Sequence, residues 1–273
     1  DWSSDVCSSD LGFPDFAVYS TEVEVYLSDG VARTFSVLRP AGGSTLGAGI
    51  GAENGMVTAD FDKDEHLDLV LSVGVEGQAG GNPQRSLFLK GNGDGTFQPG
   101  VSIASGLSGG IYDYAAGDVN HDGAPDLVGN GIYGNAQVQL GNGHGAFQAP
   151  TTYFVGTGGN SGTALADFDR DGNLDIAISG DGSGYGFVVL RGKGDGTFDA
   201  GQKFAVGQIN AHDLAVMDLN NDGKADVIVG HRGQHGNRLT VLLNNAESGR
   251  LCTHYDSFTY KANDGGQIGR AHV

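Results

Sequence analysis

Short apolar runs, separated by turns rich in Gly, Asn and Asp, follow one another along almost the whole chain. In the stretch 55–103 the alternation predicts four short strands, at about residues 55–60, 68–73, 86–91 and 96–103. Gly recurs every few residues, and each Gly in a helix interior costs ~1 kcal/mol, which disfavours long helices. The pattern therefore predicts an all-β chain that is dense in turns.

An acidic loop of nine residues, each time followed by an apolar strand, occurs four times at intervals of about 50 residues. The four loops begin at Asp60, Asp118, Asp167 and Asp218. Three repeats carry a second landmark, a turn that ends in an aromatic residue: KGNGDGTF from Lys90, LGNGHGAF from Leu140 and RGKGDGTF from Arg191. A half copy, GFPDFAV, occupies residues 12–18. A four-stranded unit repeated at this period predicts the blades of a β-propeller.

Composition and charge narrow the classes of function. The chain has 273 residues, 49 of them Gly, and a formal net charge of -18. Nucleic acids and anionic membranes attract basic surfaces, so we expect no nucleic-acid partner. No apolar run approaches the ~18 residues that a membrane helix needs, so we expect no membrane insertion in this segment. A cation is the more natural partner of so acidic a chain.

The acidic loops carry the candidate chemistry. Acidic or amide side chains stand at loop positions 1, 3, 5 and 9, and Gly stands at position 6 in three of the four copies. Alternate residues of a tight loop can converge, and Ca²⁺ takes about six to eight oxygen ligands. We therefore expect about four Ca²⁺ sites, whose side-chain ligands are Asp60, Asp62, Asp64, Asp68, Asp118, Asn120, Asp122, Asp126, Asp167, Asp169, Asp171, Asp175, Asp218, Asn220, Asp222 and Asp226. By analogy with position 7 of an EF-hand loop, backbone carbonyls come from His66, Ala124, Asn173 and Lys224.

Three alternative interpretations fit these loops less well. Any single copy has the composition of an ordinary turn between strands, but oxygen donors at every proposed position of all four copies favour a metal. An EF-hand is disfavoured because no Glu stands at position 12 and an apolar strand, not a helix, follows. Transition metals are disfavoured because the side-chain positions lack Cys and His. Glu65 replaces the position 6 Gly in the first loop, which predicts a strained and weaker site there.

The loops, their following strands and the GNGDGTF turn together resemble the FG-GAP/VCBS repeats of the integrin alpha-chain head and of many bacterial surface proteins. The resemblance covers residues 12 to about 246. It implies a β-propeller of four-stranded antiparallel blades, usually seven, with Ca²⁺ in the loop between the first two strands of a blade. Because about four to five repeats are present, we expect part of such a ring, with a closed five-bladed ring as the alternative.

The chain divides into four predicted segments. Residues 1–11 and 268–273 contain DVCSSDL and IGRAHV, which look like a translated sequencing adapter in its two senses, and we predict that they are not native. Residues 12–250 are the propeller repeats. Residues 251–267 contain DSFTYKANDG, which resembles the end of a cadherin-like repeat, with an unrelated β-rich tail as the alternative.

The leading functional hypothesis is a noncatalytic, calcium-binding propeller of an extracellular or bacterial cell-surface adhesion protein. The resemblance implies a protein or glycan ligand on the face opposite the calcium loops, where the loops around Gln78, Tyr133, Tyr185 and Arg232 should meet. The alternatives are a carbohydrate-binding, lectin-like propeller and the propeller part of a polysaccharide-degrading enzyme. The sequence nominates no catalytic residue. His231 and His235, in the Gly-rich string HRGQH, are expected to be solvated loop residues.

Overall fold

The computed structural model consists of strands, turns and loops. It describes residues 55–73, 85–104, 111–131, 134–156, 162–180, 186–206, 211–231 and 238–244, together with the backbone of five further strands at 6–8, 14–19, 23–28, 35–38 and 258–261. No helix occurs in these stretches, and hence none that could cross a membrane.

The described strands form five antiparallel sheets of four, and in every sheet the strands lie in sequence order. The first sheet contains β1 (Val6–Ser8), β2 (Pro14–Tyr19), β3 (Val23–Ser28) and β4 (Phe35–Leu38). The second contains β5 (Met56–Ala59), β6 (Asp68–Val73), β7 (Arg85–Leu89) and β8 (Val101–Ile103). The third contains β9 (Ile111–Gly117), β10 (Asp126–Gly131), β11 (Asn135–Gln139) and β12 (Thr151–Phe154).

The last two sheets have the same organisation. The fourth contains β13 (Thr163–Ala166), β14 (Asp175–Ser179), β15 (Phe187–Leu190) and β16 (Gln202–Phe204). The fifth contains β17 (Ala211–Met217), β18 (Asp226–His231), β19 (Arg238–Leu242) and β20 (Phe258–Lys261). Strands β1 and β20 lie inside the segments predicted to be foreign to the propeller, and they pair with β2 and β19. The segment boundaries themselves stay predictions.

The predicted all-β architecture of repeated four-stranded units is confirmed. The first strand of each sheet from the second to the fifth packs against the first strand of the next, so that β5, β9, β13 and β17 follow one another. This is the arrangement of the innermost strands of propeller blades. Among the described strands, no contact of this extent joins the first sheet to the fifth, so the five sheets do not close into a ring.

The hydrophobic core lies between consecutive sheets. Between the third and the fourth, Val128 and Val138 pack with Ile176, Ile178 and Val188, and all five are buried. Burial of a side chain of this size contributes about 1.5–3 kcal/mol. Each interface of this kind stabilises two sheets at once, which makes neighbouring repeats mutually dependent.

The fourth strand of the second sheet begins later than predicted, at Val101 instead of residue 96. The chain first closes a tight turn, in which Asn92 N–H donates to the carbonyl of Thr96 at 3.0 Å. Gly93 and Gly95 both have positive φ there. Phe97 therefore pairs with Gly91 only as an isolated bridge, and regular pairing with β7 resumes after the turn.

Candidate metal centre in the acidic loops

Each predicted acidic loop joins the first strand of a sheet to its second. Position 1 follows the last residue of the first strand directly, and position 9 is the first residue of the second strand. This placement holds in the second, third, fourth and fifth sheets alike. The loops therefore occupy equivalent places in four consecutive sheets.

The position 1 carboxylate folds the loop around itself. Both oxygens of Asp167 accept backbone N–H groups, from Asp171 at 3.1 Å and from Gly172 at 2.9 Å. The equivalent bonds are present in the other three loops at 2.8–3.1 Å. The position 5 carboxylate then accepts the N–H of position 7, as Asp171 does from Asn173 at 2.8 Å. These bonds turn the polar side chains back into the loop, which is the conformation that ligation of one ion requires.

The position 9 carboxylate is fully buried and links two turns. Asp175 accepts the N–H of Phe168, within its own loop, at 3.0 Å, and that of Gly192, in the turn after β15, at 2.8 Å. The same pair of bonds is made by Asp68, Asp126 and Asp226. The sequence pattern predicts position 9 only as a ligand and does not predict this structural role. The available signal is that position 9 is Asp in all four copies, as positions 1 and 5 are, whereas position 3 alternates between Asp and Asn.

Burial has an electrostatic effect on this carboxylate. Removal from water raises the pKa of Asp68, Asp126 and Asp175 to about 6, although the two backbone N–H groups at each carboxylate oppose the shift. A nearby cation favours the ionised form of such a group. The buried carboxylates thus gain more from a bound metal than exposed ones would.

Two loops bring three carboxylates to one point. Taking one oxygen from each, Asp60, Asp62 and Asp68 lie within 4.8 Å of one another, and so do Asp167, Asp169 and Asp175. In the described part of the chain, Asp62 Oδ1 is buried and accepts no hydrogen bond. An unsatisfied buried oxygen among further oxygen donors fits a hard cation such as Ca²⁺.

The other two loops have an amide at position 3. Asn120 Nδ2 donates to the Asp122 carboxylate at 2.9 Å, and Asn220 Nδ2 donates to Asp222 at 3.2 Å. The structure thus brings positions 3 and 5 together in these loops as well. Ligation by the carbonyls of position 7 stays a prediction.

Basic side chains that the loop pattern does not predict reach into the first and third loops. Lys90 forms ion pairs with Asp62 and with Asp64, the latter at 2.7 Å, and Arg191 pairs with Asp169. Hydrogen bonding to Lys90 lowers the pKa of Asp64 to about 2. Each cation directly precedes the turn glycine whose N–H binds the position 9 carboxylate. This shared position in the repeat is the sequence signal that could have placed both cations near the loops.

Positive φ recurs at two positions of every loop. Glu65 has φ 71° at position 6, as expected, where the other loops place Gly with φ 78–89°. Position 4 has positive φ too, at 59–62°, although none of its four residues is glycine: Lys63, His121, Arg170 and Asn221. The sequence pattern does not predict the strain at position 4, because the four residue types there share no preference for positive φ.

Glu65→Gly is expected to stabilise the protein by up to about 1 kcal/mol, because the left-handed conformation costs a non-Gly residue about that much. Thermal unfolding of the metal-free protein measures it. The matched control is the reverse change at the same loop position, Gly172→Ala, where an added Cβ meets nothing within 4 Å and only backbone strain is introduced. We expect Gly172→Ala to destabilise by a similar amount. Equal melting temperatures for the three proteins would contradict the assignment of strain.

Neighbouring loops are connected to each other. Gly145 N–H, in a turn of the third sheet, donates to the carbonyl of Phe61 in the loop of the second sheet at 3.1 Å. Gly196 N–H donates to the carbonyl of Val119 in the same way, also at 3.1 Å. A further contact joins His121 Nε2 to Asn173 Oδ1 at 2.9 Å. Each of these loops is therefore held in part by the sheet that follows it.

One expectation is corrected and others lie outside the described residues. His231 is not a solvated loop residue: it ends β18, is 5% exposed, and its Nε2 bonds Thr240 Oγ1 at 2.9 Å. The strand extends through Gly230 to the first residue of HRGQH because β19 pairs with it as far as His231. The positions predicted for the opposite face, Gln78, Tyr133, Tyr185 and Arg232, lie outside the described residues. So does His235, the other histidine predicted to be solvated.

The fold resembles several solved structures at low sequence identity. AofleA from Arthrobotrys oligospora matches with a TM-score of 0.53 and 11% identity, over 91% of this chain and 69% of that chain. BBS1N, solved in complex with ARL6DN, matches with a TM-score of 0.52 and 16% identity, over 88% and 64%. An exo-beta-1,3-galactanase from Phanerochaete chrysosporium, solved with beta-1,3-galactotriose, matches with a TM-score of 0.50 and 11% identity, over 97% and 73%. Identities this low support the fold alone.

Sequence comparison identifies the repeat. No curated protein sequence matches the chain significantly. The model of the FG-GAP-like repeat matches three times, at residues 78–129, 118–178 and 167–229. Together these matches extend over residues 78–229, more than half of the chain, and they include three of the four acidic loops. The chain therefore belongs to the FG-GAP-like repeat family.

Proposed function

We propose that this chain is a calcium-binding β-propeller module of an extracellular or bacterial cell-surface protein, with a noncatalytic role in adhesion or interaction. The observation that carries calcium binding is the convergence of three carboxylate oxygens within 4.8 Å in each of two loops. The buried, unbonded Asp62 Oδ1 and the net charge of -18 support it further. Bound Ca²⁺ would neutralise the repulsion among these carboxylates.

The proposed role of the metal is structural. The residues that would hold it in the third loop, from Asp167 to Asp175, connect the innermost strand of a sheet to the next strand. An ion there would cross-link the two strand ends and rigidify that end of the sheet. Loops between the second and third strands, at the opposite end, would then form a stable surface for a protein or glycan ligand.

A second candidate is a carbohydrate-binding propeller or the propeller part of a polysaccharide-degrading enzyme. The observation that favours it is the similarity of the fold to the galactanase. One fold hosts many functions, so this similarity does not nominate a catalytic residue in this chain. A glycan array probed with the full chain separates the two candidates: selective binding to an oligosaccharide would favour the second.

Calcium is expected to raise the melting temperature. For a dissociation constant of ~10⁻⁴ to 10⁻³ M, 10 mM Ca²⁺ contributes about 1.4–2.7 kcal/mol per site. Several occupied sites should therefore raise the midpoint by about 5 °C or more. Scanning calorimetry with Ca²⁺ and with chelator measures the shift, and titration calorimetry measures the number of sites. Identical melting curves in the two conditions would overturn the proposal.

Asp171→Ala supplies the site-specific arm of this test. Its carboxylate is exposed and accepts one backbone N–H, so its loss should lower calcium affinity with little effect on the metal-free protein. Asp199→Ala is the matched control, because it removes the same charge from an exposed Asp outside the acidic loops. We expect its calcium binding to equal that of the unmodified chain.

A further inference from the structure

The four acidic loops fall into two kinds, which differ in one ligand position and in one residue far away in sequence. In each sheet one turn residue donates its N–H to the position 9 carboxylate, and the distant residue is the one just before it. This residue is basic, Lys90 or Arg191, in the loops whose position 3 is Asp, at Asp62 and Asp169. Where position 3 is Asn, that residue is Leu. The Asn and Leu pairs are Asn120 with Leu140 and Asn220 with Leu243.

The equivalence of these four distant residues rests on hydrogen bonds. Lys90 and Arg191 precede Gly91 and Gly192, whose N–H groups bind Asp68 and Asp175 at 2.8 Å. Leu140 and Leu243 precede the residues whose N–H groups bind the position 9 carboxylates of the other two loops, Gly141 at 2.8 Å and Asn244 at 2.7 Å. The same bond therefore aligns all four positions in space.

The basic side chains lie among the predicted ligands. Lys90 Nζ contacts the carboxylates of positions 3 and 5 together, Asp62 and Asp64. Arg191 contacts Asp169, whose side chain has no exposed surface. Each cation also brings a loop with four Asp at its ligand positions to the same formal charge as a loop with three Asp and one Asn.

We propose that Lys90 and Arg191 are tethered counter-cations, which stand in for the metal when their loops hold none and must move away for Ca²⁺ to bind. The inference rests on the proposed calcium function and divides its sites into two classes. Loops 60–68 and 167–175 are the weak class, because the ion competes there with a cation of the same chain. Loops 118–126 and 218–226 have Leu at the equivalent position and are the tight class. In the second of them Lys224, at loop position 7, contacts the position 5 carboxylate, Asp222, at a longer distance of 3.5 Å.

The side chains can make this movement. Lys90 and Arg191 have 32% and 42% of their side-chain surface exposed, so solvent is open to both when they leave the carboxylates. If a loop is free of its cation for about a tenth of the time, its apparent calcium dissociation constant rises about tenfold. Titration would report such a population as a difference of about tenfold between the two classes.

The experiment compares the full chain with the double variant Lys90→Met/Arg191→Met by titration calorimetry with CaCl₂. Met keeps most of the length and apolar surface of the stem but removes the charge. The unmodified chain should show two classes of site, and the variant should lose the weak class as its affinity rises about tenfold. In chelator the variant should also melt at a lower temperature than the unmodified chain. Added Ca²⁺ should remove this difference, because the ion then takes the place of the missing cation.

Two controls separate charge from shape. Leu140→Met changes the equivalent residue of a tight loop without changing its charge, and Lys90→Arg keeps the cation; both should leave all calcium affinities unchanged. If the double variant binds Ca²⁺ no more tightly than the unmodified chain, the counter-cation proposal is wrong while calcium binding stands. If the unmodified chain and Leu140→Met both bind no Ca²⁺ at 10 mM, the proposed function itself is overturned, and the counter-cation proposal with it.

Discussion

Replacing Asp175 by Ala should lower the free energy of unfolding by about 3–5 kcal/mol even in the absence of metal. Its two oxygens accept the N–H groups of Phe168 and Gly192, and all three residues are buried. The change to Ala leaves two buried donors without a partner, which is more costly than the loss of one exposed bond. Chemical denaturation in chelator, followed by circular dichroism, measures the effect.

The matched control is Asp171→Ala, four residues earlier in the same loop. Its carboxylate is exposed, and only the bond to Asn173 N–H is lost, so the metal-free protein should lose about 1 kcal/mol or less. Both variants should bind calcium more weakly. Equal destabilisation of the two variants in chelator would show that position 9 has no structural role beyond ligation.

Gly192→Ala should destabilise the protein by at least about 3 kcal/mol, because the new methyl group has no space. A Cβ built on Gly192 lies 2.1 Å from the carbonyl oxygen of Leu174, so the backbone of the loop or of the turn must move. That movement would also break the bond from Gly192 N–H to Asp175. The measurement is the denaturation midpoint in chelator.

Gly100→Ala is the control for the general effect of replacing a glycine. A Cβ there meets nothing closer than 3.4 Å, an ordinary van der Waals contact, and Gly100 has no positive φ. We expect a change within about 1 kcal/mol of zero, or slight stabilisation through the unfolded chain. A Gly192→Ala variant as stable as Gly100→Ala would mean that the close approach is not maintained in solution.

The repeat and its loops could be predicted from the sequence because local residue types determine them. Asp at position 1 bonds N–H groups four and five residues later, and Gly93 and Gly95 supply positive φ inside the turn, so both features depend on neighbours in the chain. Alternating apolar residues likewise predict β6, the second strand of the second sheet, at its observed bounds, Asp68–Val73.

The features that the sequence pattern did not predict depend mostly on contacts between distant parts of the chain. Lys90 meets Asp62 only because β7 pairs with β6 in one register, and the sequence pattern did not specify this register. Pairing with β19 likewise brings His231 into a strand that its glycine neighbours had disfavoured. Position 4 of the loops adopts positive φ because the bonds around position 1 impose it, whatever residue stands there.

The bond from Gly145 N–H to the Phe61 carbonyl gives the array a polarity, since the loop of one sheet is completed by a turn of the next. A sheet inside the array thus donates a turn to the loop before it and receives one at its own loop from the sheet after it. Insertion or deletion of a whole sheet within the array would keep these bonds, because every internal loop would still be followed by another sheet. A single sheet expressed alone would lose the bond at its loop, so the loop conformation is a property of neighbouring repeats together.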